Sequence, residues 1–408
     1  MTIFGLAQSD VISLTSAVAG RELDRATAEL MFAHATWSGI AEPGDRVAGL
    51  VVAELGAPDA LRALIDKRDA EWWCAALGDQ HSSSVTPKTI GDALLRWAPR
   101  LDSHVSLLAV RQAARFAAKL IIPSDPRWPA SLADLGEHAP LALWQRGSDA
   151  AVAALDRSIA LVGARAATGY GEHVTMEASA GLVDRGYAIV SGAAYGIDGM
   201  AHRAALASKG VTVAFLAGGV DRFYPSGHDA LLTRIVETGA VLSELPCGSS
   251  PTKWRFLQRN RLIAASGLAT IVLEAGWRSG SLNTASHALQ LGRPLGAVPG
   301  PVTSAASAGC HKLLRESDAV CVTNADEMAE LAPLPGAQPL GYAEGNAPQH
   351  TAVRVIDALS ARSPRTAADV AARAGLSVAD AQSALGLLEL EGQAEERERG
   401  WVLSKQRG

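Results

Sequence analysis

The sequence predicts an α/β protein: an extended, Rossmann-like, doubly wound and mostly parallel sheet, flanked by a small helical N-terminal domain and a C-terminal winged-helix module. Three observations predict it. Over 157–330, short unbroken apolar runs alternate with amphipathic stretches, namely SIALVGA (158–164), YAIVSGA (187–193), VTVAFLAGG (211–219), AVLSEL (240–245), LATIVLEAG (268–276), PLGAVPG (294–300) and AVCVTN (319–324). A strand covered by helices on both sheet faces reads as such a run, whereas a half-exposed strand alternates. The chain before this region is rich in Ala, Leu and charged residues at helical spacing, and the chain after it offers three short helices and a β-hairpin in winged-helix order.

The elements follow in order. Residues 1–120 form the helical domain, broken at EPGD (42–45), at LGAP (55–58) and by the polar loop ALGDQHSSSVTPK (76–88). Trp37, Trp72, Trp73 and Trp97 stand among apolar neighbours and are expected to anchor its small core. The Rossmann-like domain spans 121–330 and opens with IIPSDPRWPASLADLGEHAPLALWQRG (121–147), whose prolines and apolar bursts suggest an extended segment docked onto the sheet. Residues 331–348 are a Pro/Gly/Ala linker, and 349–408 form the winged-helix-like domain. Acids balance bases in that last module. Its expected recognition helix, 377–391, carries Asp380, Glu389 and Glu391 with no cation, which favours contact with protein over contact with a DNA duplex.

Composition narrows the function classes. A formal charge of −5 over 408 residues gives no global affinity for polyanions, so any nucleic-acid site is a local patch. Cys74, Cys247, Cys310 and Cys321 show neither CxxC nor paired spacing, which argues against a zinc site or a disulfide framework and fits a cytoplasmic protein. A secretory leader and a membrane span are both unexpected.

Binding in a doubly wound sheet is expected at the C-terminal strand ends. In VGARAATGYGE (162–172) a strand enters a glycine-rich loop carrying Arg165, and in IVSGAAYGIDGMAH (189–202) another enters Ser191, Gly192 and Gly196 ahead of a helix. Backbone N–H groups in such turns, together with a helix N-terminus, suit a phosphate. Tight turns that merely need glycine would look the same. Neither loop is GxGxxG and no acid stands where a ribose contact is expected, so no dinucleotide cofactor is implied. A third turn, after Glu274, brings Ser279, Gly280, Ser281 and Thr284 into a helix. Asp198 and Glu274 are expected to satisfy backbone donors, and His202, His287 and His311 to be structural; no catalytic constellation or metal cluster is recognisable.

The most basic stretch is PTKWRFLQRNR (251–261), where Lys253, Arg255, Arg259 and Arg261 interleave with Trp254 and Phe256 and no acid occurs. A helix starting near Arg255 would put Arg255 and Arg259 on one side at i, i+4, with Phe256 and Ile263 on another, facing the core. Two readings remain open: a solvated basic face, or guanidinium forks gripping phosphates with an aromatic between them to stack a base.

Taken as a set, VGARAATGYG, SGAAYGIDGMAH, LAGGVDRFYP, FLQRNRLIAAS, LEAGWRSGSLNTASHALQLGRPLGAVPG and AGCHKLL resemble, in this order, the DprA/Smf family of bacterial DNA-processing proteins, over roughly 121–325. The resemblance implies a protein that binds single-stranded DNA, assembles as a homodimer through the Rossmann-like domain, protects incoming strands and loads the RecA recombinase during natural transformation, without catalysis or cofactor. The flanking domains, the first SAM or helix-hairpin-like, are similar in type only. Carried over by position, Arg165, Ser191, Gly192 and Gly196 would line a phosphate pocket, and Lys253, Arg255, Phe256, Arg259, Asn260 and Arg261 would extend the groove. Tyr195, also expected to bind DNA, stands where some members carry a cation, so stacking would replace one phosphate contact; Leu257 replaces a common proline and His311 a usual asparagine. Two other functions stay in view: a nucleotide- or phosphoribosyl-binding enzyme using Glu274, and a transcriptional regulator acting through the C-terminal module.

Overall fold

The computed structural model describes residues 2–78, 85–334, 347–361, 363–397 and 399–404. Part of the 76–88 loop and most of the 331–348 linker lie outside the described residues. One compact unit runs to Leu334, and a second lies beyond it.

The first unit opens with a small hairpin, β1 (Thr2–Ile3) and β2 (Leu6–Ala7), followed by helices at Gln8–Ala19, Arg25–Ile40, Arg46–Leu55, Ala57–Ile65, Ala70–Leu77, Pro87–Trp97 and Ser103–Arg115. Local chemistry sets several boundaries. Asp24, Asp45, Asp69, Thr86 and Asp102 each accept from a first-turn N–H of the helix they precede, a cap worth about 1 kcal/mol. Trp37, Trp73 and Trp97 are fully buried, with Trp37 and Trp97 edge to face at 5.2 Å. Trp72 departs from expectation: it is partly exposed, packed edge-on against Trp73, with Arg68 over its ring.

A nine-stranded sheet follows, made of β3 (Lys119–Ile121), β4 (Leu143–Gly147), β5 (Ser158–Gly163), β6 (Ala188–Ser191), β7 (Thr212–Phe215), β8 (Ala240–Ser243), β9 (Ala269–Glu274), β10 (Leu295–Ala297) and β11 (Val320–Cys321). Its order is β11-β10-β9-β5-β6-β7-β8-β4-β3. The seven strands from β5 to β11 pair in parallel, as the unbroken apolar runs predict, whereas β3 and β4 join antiparallel at the β8 edge, with Trp144 opposite Ser243. The Pro-rich 121–147 stretch therefore supplies sheet strands rather than only a docked extension.

The helices before β3 do not have a core to themselves. Val18, Phe32 and Val110 share one apolar cluster with Leu120, Trp144, Ala214 and Val241 of the sheet. Two polar contacts cross the same boundary: Trp144 Nε1 donates to Ser38 Oγ at 3.2 Å, and His34 Nδ1 lies 2.7 Å from the Leu141 carbonyl. The expected domain boundary near 120 falls inside β3.

The chain leaves β5 toward β6, β7 and β8, then returns to place β9 on the other side of β5. Connections therefore diverge at the β5 and β9 C-terminal ends. Such a divergence leaves a crevice that no crossover covers, the usual binding place in this architecture.

The second unit holds helices Ala347–Ala358, Ala367–Ala374 and Val378–Leu390, then the antiparallel pair β12 (Ala394–Arg397) and β13 (Gly400–Leu403), the expected winged-helix arrangement. Val355, Val370, Leu385 and Leu388 build its core. Asp380, Glu389, Leu387 and Leu390 are exposed on the Val378–Leu390 helix.

Candidate nucleic-acid interface

A cleft of about 620 Å³ occupies the divergence point. The end of β5 and the turn after it, residues 162–166, form one wall and Gly276 with residues 278–281 after β9 form another, while Phe256, Arg259, Asn260 and Ile263 reach in from the Lys253–Ser266 helix. The Ser281–Gln290 helix begins at the cleft, so the positive end of its dipole favours an anion there.

Arg259 is the floor. It is 4% exposed, and its Nη1 donates to the carbonyls of Gly192 (2.7 Å) and Phe215 (2.5 Å), which cap β6 and β7; its Nε donates to Asn260 Oδ1 at 3.3 Å. Burial lowers its pKa to about 10, against the pull of nearby Asp198, so it stays charged at neutral pH. Asp198 is buried too, and burial raises its pKa, opposed by Arg259 and by the backbone N–H groups of Ala194 and Gly192. Gly192 has a packing reason: a Cβ there would stand 2.5 Å from the Arg259 guanidinium. Gly196 has a conformational one. Its φ is +74°, and a Cβ would stand 2.3 Å from the Ala164 carbonyl oxygen, where the two glycine-rich loops touch.

Several expectations need correction. Ser191 and Gly192 are not among the residues that line the cleft: both are buried, and Ser191 Oγ donates to Leu161 O at 2.6 Å within the sheet. Arg255 and Arg259 do not present one exposed basic face. Arg259 lies beneath the cleft, and Arg255 donates to Glu42 from Nε (3.0 Å) and Nη2 (2.8 Å), with Nη1 on Ser250 O. Arg100 reaches the same carboxylate at 2.6 Å, and Arg100 and Arg255 together hold Glu42 below the usual carboxylate range although burial pushes it the other way. Arg261 is 3% exposed and makes a two-pronged pair with Glu244 at 2.6 and 2.7 Å, with Nε on His138 O. Asn260 Nδ2 contacts Gly280 O and Asn283 Oδ1, bracing the turn after β9.

The helix itself starts at Lys253, capped by Thr252, two residues earlier than the cation spacing suggests. Lys253 and Trp254 are exposed. Phe256 faces the cleft instead of the core, its ring held between Arg165 (5.1 Å), Arg259 (5.9 Å) and Tyr224 (5.5 Å). Tyr195 is 49% exposed and packs edge-on to His228. Arg165 is exposed at the rim, as expected for a phosphate contact.

Glu274, 2% exposed, accepts from Thr168 N (2.9 Å) and Thr168 Oγ1 (2.6 Å), so it fastens the loop after β5, the backbone role expected of it. Residue-by-residue reading passed over Arg278, exposed and lining the cleft, although its place inside a Ser/Gly turn after a strand is the signal that finds Arg165. It also passed over Tyr224 and Trp277, 50% and 57% exposed. No cluster of metal-ligating side chains occurs among the described residues.

Comparison with known proteins adds to this geometry. Residues 119–333 match the family model of DNA recombination-mediator protein A, and residues 343–398 match that of the DprA winged helix domain. A protein of Mycobacterium tuberculosis that carries the DprA name is 46% identical over 301 residues, 70% of this chain and 77% of its own. The DNA processing protein DprA of Streptococcus pneumoniae is 36% identical over 233 residues, 56% of this chain and 78% of its own. The X-ray structure of DNA processing protein A from Streptococcus pneumoniae superposes with a TM-score of 0.58 at 27% identity, covering 74% of this chain and 97% of that one.

Proposed function

Because the chain belongs to the DNA recombination-mediator protein A family, the DprA/Smf proteins, we propose that it binds single-stranded DNA in the cleft between β5 and β9, protects incoming strands and loads RecA during natural transformation. In this reading it works in the cytoplasm as a homodimer joined through the sheet-bearing unit, with no cofactor and no chemical step. The observation that carries it is the cleft: exposed Arg165 and Arg278 in its two loop walls, a helix N-terminus just after Arg278, and the Phe256 ring beside the Arg165 and Arg259 guanidinium groups. Cations grip a phosphate backbone and the aromatic face accepts any base, so sequence preference is weak.

Fluorescence anisotropy of labelled poly-dT and of its duplex across a salt series tests this. The wild type should prefer the single strand, with log K falling by about 0.7 per phosphate contact per decade of salt, and Arg165→Ala should shallow that slope. Equal, weak binding of both nucleic acids by both proteins would sink the reading. The rival enzyme, acting on a nucleotide or phosphoribosyl group, draws support from the cleft volume, which suits a small molecule. Against it, the carboxylate it would use, Glu274, is buried and held by Thr168.

A further inference from the structure

Trp277 stands between two cleft residues, Gly276 and Arg278, yet does not line the cleft itself. The residue is 57% exposed and belongs to none of the apolar clusters formed by the described residues. Lys312, from the Ala308–Glu316 helix, holds its ammonium 5.1 Å from the ring centroid. An indole left this open buries little area for its size, so packing is a poor account of it. A cation over an exposed ring is a weak contact, and a nucleobase stacked on the same ring is a stronger one.

We propose that Trp277 is a stacking platform outside the cleft, on the β9–β10 side, that receives a base of the single strand after its backbone passes Arg278. The proposal rests on the single-strand reading above and extends it to a ring beyond those that line the cleft. On binding, the base takes a face of the indole, and Lys312 turns from the ring to an adjacent phosphate. The site discriminates by strand length rather than by sequence: a short oligonucleotide fills the cleft, and a longer one also reaches Trp277.

Anisotropy with dT oligonucleotides of increasing length tests it, using the full chain, Trp277→Ala, Trp277→Phe and Lys312→Ala. Wild-type affinity should step up with length. Trp277→Ala should remove that step, by about tenfold, the size of one base–aromatic stack, while leaving the shortest oligonucleotide unaffected, and Trp277→Phe should keep most of it. Lys312→Ala should lower the salt slope for the long strand alone, by about 0.7. Quenching of indole emission by the long strand should fall in Trp277→Phe. If wild type binds single strands and Trp277→Ala matches it at every length, the platform is overturned while the cleft stands. Failure of the wild type to bind any single strand would overturn both, and the two failures are told apart by that one control.

Discussion

The Lys253–Ser266 helix and the two turns that frame the cleft teach opposite lessons about charge. The helix begins in an acid-free stretch of four cations, yet three of them are engaged with protein: Arg255 by Glu42, Arg259 by two strand-end carbonyls, Arg261 by Glu244. Each turn brings one arginine, Arg165 or Arg278, and both are exposed at the cleft. A guanidinium with five donors satisfies buried acceptors as well as it satisfies phosphates. Cation density along a chain therefore measures demand for such groups, and burial decides which of them a ligand can meet.

Perturbing each class should separate stability from binding. The largest effect belongs to Arg261→Ala, which strands Glu244 without its partner in the interior and should cost about 3–5 kcal/mol in denaturant unfolding. Replacing both by leucine should recover much of that, and a cost below about 1 kcal/mol for the single change would place the pair in solvent. Next is Arg259→Ala. Leaving the Gly192 and Phe215 carbonyls unsatisfied should cost about 1–3 kcal/mol and should also weaken strand binding, since the cleft floor goes with it.

Arg278→Ala should do the reverse of Arg261→Ala. Unfolding should move by less than about 0.5 kcal/mol, while the salt slope for single strands falls by about 0.7. A melting shift comparable to that of Arg259→Ala would erase the contrast between helix and turns. The smallest effect belongs to Glu42→Gln, which loosens a partly exposed pair for about 1 kcal/mol or less and frees Arg255, raising single-strand affinity severalfold. Because Glu42 titrates below its ordinary value of 4.5, its contribution is full above that value and fades as pH drops through the folded-state value. Denaturant midpoints of wild type and Glu42→Gln should hence converge in acid; a gap that widens there would refute the pairing.

How much of this was legible follows from where each signal lives. The strands β5 to β10 announced themselves because a strand buried on both faces can hold little but apolar residues, whereas β11, an exposed edge strand, was found by its short apolar run alone. Strands β3 and β4 did not announce themselves, being antiparallel and separated by a proline-rich stretch that mimics a linker. For the Lys253–Ser266 helix, spacing told which residues share a side but not which side meets the sheet. Arg259 went inward because Gly192 leaves room for its guanidinium and two strand ends offer carbonyls, facts that lie 44 to 67 residues away in the chain. Phe256 went to the cleft for the same reason, since it sits one helical step before Arg259. Arg278 was available to local reading, as a lone cation in a phosphate-type turn.

The shared core between the first helices and the sheet bears on how the chain can be cut. Residues such as Phe32 and Val110 cover the same apolar face as Leu120 and Val241, and Trp144 leans on Ser38. A protease acting on the native protein should find no clean stopping point between helices and sheet. A recombinant fragment begun at residue 121 would present that face to water and be prone to aggregate, so a fragment built to hold the cleft needs the N-terminal helices.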